Sequence, residues 1–220
     1  MLPLPEQLLL LALHDEKGSV LFSASTALRY GLAGAVLLDL LFQDKVALVD
    51  DKIRMLDRSQ VDDATLNRAL DVIEQSKKDR SPKYWIGKIP HKIRDLQDRI
   101  TDQLVQKNIL RREGRSFLWV FEVNRYPTAN AVPESEIRHR IRNIVLHDHP
   151  ADETNVALIS LMKACGLVNE VFSKDERKAA KRKIKELAES EQFGKAVSAV
   201  VTEMTIAITA AITAATVSSH

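Results

Sequence analysis

Ile93, Leu96, Ile100 and Leu104 recur at steps of three and four residues, a period that lays one apolar stripe along a helix and leaves Lys92, Arg94 and Arg99 toward water. Beyond that stripe the pattern changes. After Ile109 and Leu110 a polar turn at residues 111–115 precedes Phe117-Leu-Trp-Val-Phe121, five apolar residues in a row. Strand side chains alternate between faces, so this run is apolar on both and needs cover on both. The cover is a neighbouring helix, a second copy pairing through the 109–123 hairpin, or lipid, with Trp119 at the interface and arginines among headgroups.

The same reasoning extends along the chain. Helical patterns run over residues 26–41, 61–76, 93–106, 134–146, 152–165, 175–190 and 196–217, with a short amphipathic helix around Leu8 to Leu13. In the 134–146 segment Ile137, Ile141, Ile144 and Val145 face inward, while Arg138, Arg140 and Arg142 do not. Two hairpins interrupt the helices, one turning at Asp50-Asp51 and one at Glu113-Gly114. The stretch from Ala196 to Val217 is apolar but rich in Ala and Thr, and Glu203 leaves its longest uninterrupted part too short for a bilayer span. It reads as a helix buried all round. No linker is long or biased enough to divide the chain. The expected fold is therefore mainly α, a single domain over 1–220, with small β-hairpins around a buried apolar C-terminal helix.

Charge is distributed unevenly, although 32 Lys/Arg nearly balance 30 Asp/Glu. Residues 1–73 hold seven Lys/Arg against eleven Asp/Glu, whereas residues 80–115 hold ten against four. Such asymmetry favours an oriented contact with an anionic surface. The lone cysteine, Cys165, has no disulfide partner, and no leader pattern opens the chain, so a reducing cytoplasmic location is expected.

Catalytic patterns are missing. His147-Asp-His149 lacks the further ligands that would complete a metal site, and Cys165 sits in an apolar helical segment as a structural thiol. Gly31-Leu-Ala-Gly34 has neither the spacing nor the Lys-Ser/Thr of a phosphate loop. His91, beside Lys92, adds charge to the basic segment. No enzyme activity, cofactor or metal is expected.

Several segments are collinear with one known family. They are Glu6-Gln-Leu-Leu-Leu-Leu-Ala-Leu-His-Asp-Glu-Lys-Gly18, Tyr30-Gly-Leu-Ala-Gly-Ala-Val-Leu-Leu-Asp-Leu40, Asp44-Lys-Val-Ala-Leu48, Trp85-Ile86, Ile93-Arg-Asp-Leu96, Arg99-Ile100 and Leu104-Val-Gln-Lys-Asn-Ile-Leu110. Over nearly its whole length the chain resembles the Golgi phosphoprotein 3 family, including its prokaryotic relatives. The resemblance implies a mainly helical domain with β-hairpins around a buried helix. It also implies a non-enzymatic peripheral membrane protein that binds phosphatidylinositol 4-phosphate through a basic pocket, inserts an apolar hairpin and adapts a protein cargo. The family's pocket arginine corresponds to Arg94, its second arginine to Gln97, its Gly-Leu-Arg-Gly-Gly arginine to Ala33, and its aromatic residue to the neighbourhood of Ser23.

The sequence thus predicts a lipid-binding adaptor. Arg94, Arg99, Lys92 and Arg29 meet an anionic headgroup, and Phe117, Leu118 and Trp119 anchor the hairpin in the membrane. Two other readings stay open. A winged-helix nucleic-acid binder would track phosphates with Arg111, Arg112 and Arg115, although the apolar hairpin and near-neutral charge argue against it. A structural homo-oligomer would pair its hairpins.

Overall fold

The computed structural model describes residues 1–117, 121–189 and 195–217. Helix α2 (Leu28–Phe42) is the element around which the others pack, touching α1 (Leu4–Ala12), α3 (Ala64–Glu74), α4 (Pro82–Lys92), α5 (Leu96–Gln106), α7 (Glu153–Ala164) and α10 (Lys195–Val217). Its small residues make that possible. A Cβ on Gly31 would sit 2.3 Å from Cys165 Sγ and 3.3 Å from Leu8, so only glycine lets α1 and the end of α7 approach this closely. Cys165 is fully buried there, and burial pushes its thiol up to about 12.

Helix α1 is buried along all nine of its residues, polar Glu6 and Gln7 included, so it is a core helix rather than the amphipathic one expected. Its polar groups are therefore answered one by one. The N–H of Leu4 donates to the Asp39 carboxylate of α2 at 2.9 Å. Lys107 Nζ reaches both Glu6 oxygens, at 2.6 and 2.7 Å, and Arg140 donates to Gln7 Oε1 at 2.5 Å. Burial raises the Asp39 carboxyl to about 6 and also raises Glu6, against the lowering effect of Lys107.

Helix starts follow local chemistry. Asp63 caps α3 by accepting from Thr65 and Leu66, Ser81 caps α4 ahead of Pro82, and Asp152 caps α7 through Asn155. The helix expected over 93–106 is shorter and bent away from what precedes it. Pro90 cannot donate to the Ile86 carbonyl, α4 ends at Lys92, and α5 restarts at Leu96. Ile89, Ile93, Leu96 and Ile100 nonetheless all stay buried, because the stripe continues across the break. Helix α6 (Val132–His147) buries Ile137, Ile141, Ile144 and Val145 as its pattern required. The short α8 (Val168–Val171) and α9 (Arg177–Glu189) complete this side.

The strands form two separate antiparallel pairs. Strand β1 (Val46–Val49) meets β2 (Lys52–Met55) across Asp50-Asp51, both at positive φ, as a tight two-residue turn requires. In the second pair, β3 (Glu113–Phe117) meets β4 (Phe121–Arg125), with Gly114 opposite Asn124 and Phe117 opposite Phe121. This corrects the expected hairpin. Glu113-Gly114 lies within β3 instead of forming a turn, and Phe117 to Phe121 is not one strand but the end of β3 and the start of β4. Ile109 and Leu110 belong to the core rather than to the ribbon. Of the proposed anchor, Phe117 closes β3, and Leu118 and Trp119 lie outside the described residues.

The C-terminal expectation is also corrected. Helix α10 buries Val197 and Val200, but Ser198, Thr202, Thr205 and Thr209 are exposed and Ile206 is 45% exposed. Thr205 and Thr209 donate to carbonyls one turn earlier, which satisfies their hydroxyls on an open face. The helix buried along its whole length is α1, and α2 is buried continuously from Gly31 to Leu38.

Candidate anion-binding cavity

The first turn of α2 and the break between α4 and α5 enclose a cavity of about 500 Å³. Arg29 and Leu32 come from α2, His91 from the end of α4, Arg94 from the break, and Leu96 and Gln97 from the first turn of α5. The break creates the site. An unbroken helix would carry Arg94 round the same cylinder as its neighbours, whereas the restart at Leu96 turns a helix N-terminus toward α2. Neither α2 nor α5 has a side-chain cap, since Ala27 has no acceptor and Asp95 makes no capping bond. Two helix first turns thus meet at one cavity without a side-chain cap on either, although the Tyr30 and Leu96 N–H groups already donate to the Ala27 and Ile93 carbonyls, and both helix dipoles favour an anion there.

Two guanidinium groups reinforce that preference. Among the described residues neither Arg29 nor Arg94 forms an ion pair; Arg29 stacks on the Tyr30 ring at 5.1 Å, which steadies it without neutralising it. The other expected headgroup residues lie elsewhere. Lys92 is exposed at the last turn of α4, outside the cavity wall. Arg99 donates to Asp95 at 2.9 Å, and this bond holds the Asp95 carboxyl below its ordinary range. Arg99 is therefore already engaged by a neighbouring carboxylate.

Most of the remaining basic residues are already engaged. Arg138 pairs with Glu134 and donates to the Glu170 carbonyl; Arg142 pairs with Glu176 through both nitrogens and donates to the Val171 carbonyl. Arg140 bridges Asn155 and Gln7. In the ribbon, Arg111 pairs with Glu113, and Arg112 pairs with Asp102. The arginines that would track nucleic-acid phosphates are thus partly spent. A second cavity of about 440 Å³ between α7 and α10 is walled by Val156, Val197, Val201 and Ile206 with Lys163 at its edge, and no cations converge on it.

A family model described as Golgi phosphoprotein 3 (GPP34) matches residues 4–204. The chain belongs to the Golgi phosphoprotein 3 family. Two curated relatives are the vacuolar protein sorting-associated protein 74 of Eremothecium gossypii and that of Schizosaccharomyces pombe. Each is 27% identical over 165 residues, 66% of this chain. The chain spans about half the length of these relatives, 49% and 48% respectively. Against the family pattern, Gln97 lies on the cavity wall, while Ala33 is buried in the core and Ser23, which donates to Glu170, is not part of the wall. Arg29, one turn before Ala33, lies on the cavity wall.

Proposed function

We propose that this Golgi phosphoprotein 3 family chain is a non-catalytic peripheral membrane adaptor whose Arg29/Arg94 cavity takes the phosphate of an anionic lipid headgroup. The observation that carries the reading is the convergence of two helix N-termini lacking side-chain caps with two guanidinium groups that form no ion pair among the described residues. Exposed Lys92, two residues before Arg94, adds positive field nearby. In this reading Phe117, Leu118 and Trp119 enter lipid, which supplies the second of the two weak signals that stable attachment needs. No described helix is long and apolar enough to cross a membrane. In this reading the whole chain acts as one domain in the cytoplasm, carrying a protein cargo at the membrane.

Phosphatidylinositol 4-phosphate is the headgroup the family resemblance suggests. The departures at Ala33 and Gln97 remove two donors from the family's set and fit a prokaryotic member with broader selectivity. The test is sedimentation with vesicles of equal surface charge containing phosphatidylinositol 4-phosphate, phosphatidylglycerol or phosphatidylserine, with a duplex DNA lane. All three should bind within a few-fold of one another, and DNA should not bind. A phosphoinositide preference above about tenfold would show a selective pocket, and binding to DNA alone would favour the nucleic-acid reading.

A further inference from the structure

Phe22 is 95% exposed, more than any other described large apolar side chain. Transfer of a phenylalanine from water is favourable, so one held fully outward has a use or a cost. The loop that carries it is firmly placed. Gly18 has φ +57°, and a Cβ there would fall 2.1 Å from the Tyr126 carbonyl carbon; the Tyr126 N–H donates to the Gly18 carbonyl. Tyr126 directly follows β4, so the loop leaves from the base of the β3–β4 ribbon. Ser23 then pins it inward, donating to Glu170 at 3.2 Å and resting its carbonyl against Gly166. From Phe22 the chain coils through a 3-10 turn and helical Ser25 and Ala27 straight into α2. Phe22 therefore precedes Arg29 by seven residues, a path of about 10 Å at helical rise.

Phe22 thus stands on a loop tied at one end to Tyr126 after β4 and leading at the other into the first turn of α2, which carries Arg29, and it is not part of the cavity wall. We propose that Phe22 is a membrane-contact residue, entering the boundary between headgroups and acyl chains while the cavity beside it holds an anionic headgroup. A lipid surface suits it better than a protein does. Ser23, Ser25 and Thr26 around it are exposed and polar, so it lacks the contiguous area of roughly 800 Å² that a stable protein interface takes from each partner. A single aromatic side chain beside cationic groups is what an interfacial contact requires.

The inference rests on the anionic-headgroup reading, and one experiment separates their failures. Phe22→Cys is labelled with an environment-sensitive nitrobenzoxadiazole dye; buried Cys165, with its raised thiol, does not compete. On phosphatidylglycerol/phosphatidylcholine vesicles the dye should brighten several-fold and shift to the blue, with no change on pure phosphatidylcholine. Unlabelled Phe22→Ser should sediment about tenfold less well at unchanged melting temperature. If the labelled protein sediments but the dye keeps its aqueous spectrum, the contact at Phe22 is wrong and the headgroup reading stands. Loss of sedimentation for the unmodified protein overturns both. A blue shift on concentrating the protein without lipid makes Phe22 a self-association contact and overturns the inference.

Discussion

Helix α6 and the α2/α5 cavity each present arginines near the surface, and they use them in opposite ways. Arg138, Arg140 and Arg142 are each met by a carboxylate, an amide oxygen or a carbonyl, and through them α6 is tied to α1, α7, α8 and the start of α9. Arg29 and Arg94 have no such partner among the described residues and stand where two helix N-termini already favour negative charge. Sequence counts treat the two groups alike. What separates them is whether the fold brings an acceptor to the guanidinium, so a basic segment says little about binding until its acceptors are known.

Removing an engaged cation should cost stability. The largest effect is expected at Lys107, because Lys107→Ala leaves Glu6, 1% exposed, as an uncompensated buried carboxylate. The expected loss at pH 7 is about 3 kcal/mol in chemical denaturation. Burial holds the Glu6 carboxyl above its ordinary range, so the folded state keeps the proton longer than the unfolded chain does. The stability tied to that proton is present at low pH and lost as pH rises through the raised value, so the deficit of the variant should shrink toward pH 4. A deficit independent of pH would mean that Lys107 acts through packing alone.

Arg140→Ala should be the next most damaging, at about 2 kcal/mol, since it strands the buried Gln7 oxygen. A melting-temperature drop of roughly 4–8 °C reports it. Vesicle binding measured well below that transition should be unchanged, because Arg140 faces inward rather than toward the cavity.

Much of the helical framework was legible because its stripes are strict: Leu66, Leu70 and Ile73, or Ile137, Ile141 and Ile144, bury as their spacing demands. The errors arose where a local pattern was compatible with two geometries. Ile89, Ile93, Leu96 and Ile100 keep helical phase across a real break, and only Pro90 signals it. Glu113-Gly114 has turn composition, yet pairs within a strand because the register is set by the longer ladder to Asn124 and Arg125. Ala and Thr made α10 look buried, although Thr hydroxyls bonded to their own helix sit comfortably in water. Arg29 and Arg94 were each legible as candidates. Their grouping at one headgroup was expected together with Arg99 and Lys92, but neither of those two lines the cavity, because periodicity does not encode how α2 and α5 approach across distant stretches of chain.

The account stands or falls on location rather than net charge. Arg94→Glu and Arg182→Glu make the same charge change, one at the unpaired cavity arginine and one on the exposed face of α9, where the Arg182 side chain is 81% exposed. Sedimentation with phosphatidylglycerol vesicles at fixed ionic strength compares them directly. Arg94→Glu should lower binding by on the order of thirtyfold, reversing one cation worth about 1 kcal/mol at such a surface, while Arg182→Glu should change it by less than about threefold. Equal losses from the two variants, with both folded, would contradict a headgroup site at Arg94 and leave only diffuse electrostatic attraction.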